Sequence, residues 1–108
     1  MKKIFFGLLL VSVVVRASTL ECESLVNLDT ISSDIVSTQL SSKTQISSTD
    51  EVVSYVTETK PGVFLVEAFL PSLEIRIYAE GELSAGSELK ASTWARSIMV
   101  DVVCKKLK

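Results

Sequence analysis

The sequence contains no histidine, and its 108 residues include only two cysteines, two prolines, four glycines and one tryptophan. Without imidazole, Ser-His-Asp and Cys-His nucleophilic systems are excluded, as are the ordinary His-based zinc sites. Two cysteines are too few for a thiolate zinc site, and neither stands in a Cys-x-x-Cys motif, which argues against a redox-active pair. No P-loop, Gly-x-Gly-x-x-Gly, Gly-x-Ser-x-Gly or EF-hand loop occurs, so those routes to phosphate, dinucleotide, acyl-enzyme or calcium chemistry are closed. Gly81-Glu82-Leu83-Ser84-Ala85-Gly86 has glycines but no phosphate-binding context, and reads as a turn. The only asparagine, Asn27, is followed by Leu-Asp, so there is no Asn-x-Ser/Thr site. Cation clusters are equally sparse. Past the N-terminal segment only Lys105, Lys106 and Lys108 gather, which lacks the footprint that nucleic acid requires.

What is present begins with an export signature. Lys2 and Lys3 precede an apolar run, Ile4 to Val15, interrupted only by Gly7 and Ser12, and Val15-Arg16-Ala17 follows. This charged, apolar, small-residue order is that of a secretory signal peptide. The run is shorter than the roughly 20 residues a membrane-spanning helix needs. Residues 1–17 are therefore expected to be a cleavable signal and residues 18–108 one β-rich domain, secreted or periplasmic, with no membrane association after cleavage. Arg16 within the cleavage motif makes an uncleaved anchor the alternative. Cys22 does not read as a lipid acceptor, because Glu21 stands where a small residue is needed. Removal of residues 1–17 takes three cations and no acid, leaving 91 residues, 8 Lys+Arg against 13 Asp+Glu, and a formal charge of −5. Cys22 and Cys104 then lie near opposite ends of the chain, and in an oxidising compartment they are expected to pair. Closing so long a loop stabilises the fold by roughly 4 kcal/mol on the chain-entropy model.

Period-two patterning runs through the rest. Leu20, Cys22, Ser24, Val26 and Leu28 share one parity near the start, and Ile98, Val100, Val102 and Cys104 share one near the end. Both cysteines fall on the apolar parity, so these strands are neighbours or face each other across two sheets. Between Thr30 and Thr59, fourteen of thirty residues are Ser or Thr, with Ile and Val spaced among them, which predicts two or three strands with one wet face. Lys60-Pro61-Gly62 predicts a turn joining Val52–Thr59 to the nearly unbroken apolar run Val63–Leu70. Pro71-Ser72 breaks that run. Leu73, Ile75, Ile77 and Ala79 then alternate with Glu74, Arg76, Tyr78 and Glu80 as a half-exposed strand. Ser92 is placed to cap a short helix over Ser92–Ile98, favoured by Ala95 and Arg96. The expected fold is all-β with at most that one helix: a small antiparallel β-sandwich or barrel-like domain.

No cofactor or metal is implied. Glu80 and Glu82 beside Gly81 supply too few ligands for Ca²⁺. Trp94 with Tyr78 is a candidate carbohydrate-stacking platform, although a lone Trp in so small a domain is expected in the core. Glu67 interrupts the apolar Val63–Leu70 run and is the carboxylate with most chemical interest. Buried, it is a candidate general acid. The structural alternative pairs it with Arg76, directly opposite if Pro71-Ser72 forms a two-residue turn. These features point away from catalysis, towards an exported, disulfide-closed binding or structural domain of the cell envelope or extracellular space. Its partner would be a protein that meets a sheet face or exposed edge. The alternatives are a secreted inhibitor or effector of another protein, and a small carboxylate-dependent hydrolase.

Protein recovered from an exporting host should begin at Ser18. Intact-mass measurement checks this, and a species retaining Met1 to Ala17 would replace the signal with an anchor.

Overall fold

The computed structural model of the chain describes residues 18–95 and 97–107. The expected signal, residues 1–17, lies outside the described residues, as do Arg96 and Lys108. Eight strands follow one another: β1 (Ser18–Val26), β2 (Asp29–Thr38), β3 (Lys43–Ser48), β4 (Val53–Lys60), β5 (Val63–Leu70), β6 (Ile75–Glu82), β7 (Glu88–Ala95) and β8 (Ile98–Lys106). They form two antiparallel four-stranded sheets, ordered β2-β1-β8-β7 and β3-β4-β5-β6, packed together as a β-sandwich.

The alternation in the sequence becomes the division between core and surface. Leu20, Cys22 and Val26 of β1 and Val100, Val102 and Cys104 of β8 point inward from the first sheet. They meet Val56 of β4 and Phe64, Val66, Ala68 and Leu70 of β5 from the second. Each large aliphatic or aromatic side chain buried here contributes about 1.5–3 kcal/mol of transfer free energy. The Ser/Thr-rich stretch yields three strands, β2, β3 and β4, and its hydroxyls do not all face water. Ser24, Ser47 and Ser54 are buried between the sheets, with Oγ separations of 2.9 Å (Ser47–Ser54), 3.2 Å (Ser24–Ser47) and 3.5 Å (Ser24–Ser54). Small hydroxyl side chains that satisfy one another can occupy inward positions without stranding a polar atom. Nearby, Thr38 Oγ1 donates to the buried Glu58 carboxylate at 3.1 Å, which also accepts from the Gly62 amide at 3.1 Å. Glu58 thereby ties the end of β2 to the β4–β5 turn.

That turn forms as the sequence predicts. Pro61 has its φ fixed near −65° and Gly62 stands at φ +80°, which only glycine adopts without penalty. Two expectations fail. A two-residue turn opened by proline needs a left-handed residue in its second position, which Gly62 supplies after Pro61 but Ser72 does not after Pro71, so Pro71-Ser72 does not make one. The chain instead takes a four-residue turn, Pro71–Glu74, with Glu74 at φ +55° and Leu70 paired with Ile75. The β5–β6 register moves accordingly: Tyr78 is opposite Glu67, and Arg76 opposite Phe69. The helix expected over Ser92–Ile98 is also absent. Ser92 to Ala95 belong to β7, where Thr93 pairs with Val100 and Trp94 with Met99. β-branched and aromatic side chains suit the pleated surface, and cross-strand pairing overrides the weak capping signal.

Cys22 and Cys104 are joined by a disulfide. Their strands are neighbours in one sheet, with Cα atoms 4.1 Å apart and both side chains fully buried. This closes a loop of 82 residues of sequence separation. Replacement by Cys104→Ser should lower unfolding free energy by about 2–5 kcal/mol, measured by urea titration. Thiol labelling of denatured, unreduced wild-type protein should find no free sulfhydryl, and labelling of both cysteines would overturn the pairing.

Candidate functional site

Glu67 lies on the outward face of β5, yet it is only 7% exposed, because neighbouring side chains cover it. Tyr55 and Tyr78 flank it on the adjacent strands. Arg76 donates to its Oε2, and the Lys43 ammonium stands 3.8 Å from its Oε1. Lys43 also lies over the Tyr55 ring at 4.9 Å and Arg76 over the Tyr78 ring at 5.8 Å, within cation–π range. The expected Glu67–Arg76 pair therefore exists, but as a diagonal contact across the shifted register. Both carboxylate oxygens face cations, an arrangement that joins β3, β5 and β6 on one sheet face. Glu80 accepts from Thr59 Oγ1 at 3.3 Å on the same face. Among the described residues, no group of three or more His, Cys, Asp or Glu is placed to hold a metal ion. Among the described residues there is no helix long and apolar enough to cross a membrane.

The opposite outer face holds a different feature. Trp94, expected in the core, is 77% exposed, because Ala91 sets the inward parity of β7 and Trp94 falls on the other. Tyr78 lies on the far side of the sandwich, so the two aromatics cannot form one platform. Trp94 instead lines a hollow of about 460 Å³ with Leu28, Lys90, Ser92, Met99 and Asp101. The neighbours come from register: Trp94 is opposite Met99, and Ser92 opposite Asp101. Ser92 Oγ donates to Asp101 Oδ1 and fixes that carboxylate in the lining.

Leu28 arrives from the other hairpin. Asn27 and Leu28 form the two-residue β1–β2 turn, at φ +51° and +73°. Asparagine tolerates this region, whereas leucine ordinarily avoids it at a cost of roughly 1–2 kcal/mol. Leu28 is nonetheless 69% exposed, so no burial in the chain offsets that cost. The turn is pinned to β8: the Asn27 amide donates to the Met99 carbonyl at 2.7 Å, and the Met99 amide donates to Asn27 Oδ1 at 2.9 Å. The available sequence cue was a leucine in the second turn position, where glycine is usual.

No protein-family model, no curated protein and no solved structure matches the chain.

With both cations largely in water, the Glu67 cluster should contribute modestly. Glu67→Gln should cost less than about 1 kcal/mol. A double-mutant cycle with Arg76→Gln should give a coupling of about 0.5–1 kcal/mol, read from urea midpoints. A loss several times larger would show that Glu67 organises the face more tightly than two exposed cations allow.

Proposed function

We propose that this protein is an exported β-sandwich binding domain, acting in the cell envelope or outside the cell through recognition. The observation that carries this reading is the Leu28–Trp94 rim. A strained, exposed leucine and an exposed tryptophan sit together over a hollow, held by two hydrogen bonds to β8. Exposed apolar side chains gathered in one place mark binding sites more often than chance does. Backbone strain persisting at such a place points the same way.

Placement supports it. The Leu107 amide donates to the Thr19 carbonyl at 3.0 Å, so both ends of the described chain lie together. β1 and β8 run from there to the rim, about 25 Å away at ~3.4 Å per residue. A face is favoured over a sheet edge because each edge strand carries charged side chains, which discourage strand addition. The signal-like residues 1–17 support export, and a disulfide is compatible with an oxidising compartment. An inhibitor or effector of another protein would use the same surface, and differs in whether the bound partner loses activity. A carboxylate hydrolase is disfavoured, since Glu67 is occupied by Lys43 and Arg76.

Leu28→Gly should raise stability by about 0.5–1 kcal/mol in urea titrations, because glycine removes the positive-φ cost. A photo-crosslinking residue at position 28 should label an envelope or extracellular component in intact source cells, and Trp94→Ala should abolish that label. Destabilisation by Leu28→Gly together with no adduct at position 28 would overturn the reading.

A further inference from the structure

We infer that the hollow beside Trp94 takes one pyranose ring of an uncharged, all-equatorial glycan, such as a β-1,4-linked glucose or N-acetylglucosamine oligosaccharide. This rests on the binding-domain reading and names its ligand. The hollow, about 460 Å³, lies within the ~300–1,000 Å³ range of small-ligand sites. Its lining is amphipathic in the way a sugar ring is. The Trp94 indole, with Leu28 and Met99, presents an apolar surface to a ring face whose axial positions carry only hydrogen. Ser92, Asp101 and Lys90 offer acceptors and donors to the equatorial hydroxyls around the ring edge. Asp101, fixed through Oδ1 by Ser92, is preorganised for such a contact. One acid and one base leave the lining without net charge, which favours a neutral ligand over an acidic or basic one.

A protein partner fits less well. A stable protein interface needs roughly 800 Å² from each side. The next rows across this face break up the apolar ground with charge, Glu23 and Lys90 flanking Val103 in one, and Glu21, Lys105 and Glu88 following Ile35 in the other.

Trp94 is the only tryptophan in the chain, so its fluorescence reports on this site alone. Titration of the residue 18–108 protein, disulfide intact, with cellotriose and chitotriose should give a saturable change in emission. Mannotriose, with an axial hydroxyl, should bind more weakly. Asp101→Asn should weaken binding about tenfold. Trp94→Ala should abolish retention on insoluble cellulose or chitin, and Tyr78→Ala on the far face should leave it unchanged. Retention on polymer without response to trisaccharides would place the site on chain glycan, and response to both would admit free oligosaccharide; each supports the inference. No response to any of these glycans overturns it. If the position-28 crosslinker then labels a polypeptide, the binding-domain reading stands with a protein partner; absence of both signals removes both.

Discussion

The fold depends on the pairing of β1 with β8. The second sheet is a meander of consecutive hairpins and can form locally. The first is made of two hairpins from opposite ends of the chain, β1–β2 and β7–β8, and only the β1–β8 ladder joins them. Half of the core lies on that sheet, so the sandwich has no interior until segments some 82 residues apart have met. Long-range strand pairing of this kind spends loop entropy before its contacts form, and folds slowly. The disulfide sits within the ladder that carries this cost. The Leu28–Trp94 rim inherits the dependence, since Leu28 comes from the first hairpin and Trp94 and Met99 from the last.

Where local chemistry and tertiary context agree, the sequence is readable. Lys60-Pro61-Gly62 demands one turn and gets it. Ile75 to Glu82 alternates cleanly because one face of β6 is wet, and the cysteines share the parity of the valines around them because both face the core. The misreadings arise where a nonlocal partner decides. Ser92 to Ala95 have a helix-capping residue but also a neighbouring strand, and the neighbour prevails. Pro71 announces a break without announcing its length, and the excluded two-residue turn moves the register by two positions. Trp94 looks like core by composition, and only the inward placement of Ala91 turns it to solvent. Ser47 and Ser54 fall in the stretch expected to have a wet face, yet their hydroxyls turn inward and satisfy each other and that of Ser24, which shares the inward parity of β1. Leu28 reads as the last apolar residue of the first strand, but β1 ends at Val26 and the two-residue turn carries Leu28 out to solvent.

An open sandwich has four edges, and each carries charge that hinders another strand from adding. Lys43 marks β3; Arg76, Glu80 and Glu82 mark β6; Glu88 and Lys90 mark β7. On β2, the longest edge, Asp34 takes the inward parity opposite Cys22 while Ile35 points out. A charge on the inward side of an edge strand is tolerated only at the rim of the core. A new strand added there would enclose it. Charged side chains of both signs thus discourage strand addition at all four edges.

The sulfurs of Cys22 and Cys104 are enclosed between the sheets, with no exposure to solvent. Thiol reductants act by direct attack on sulfur, so they can reach this bond only when the sandwich opens. The bond's lifetime in a reducing medium is therefore governed by the frequency of opening rather than by reductant strength, once reductant is plentiful. Reduction kinetics of the intact protein become a clock for its own unfolding, and the domain keeps its cross-link for as long as it keeps its fold.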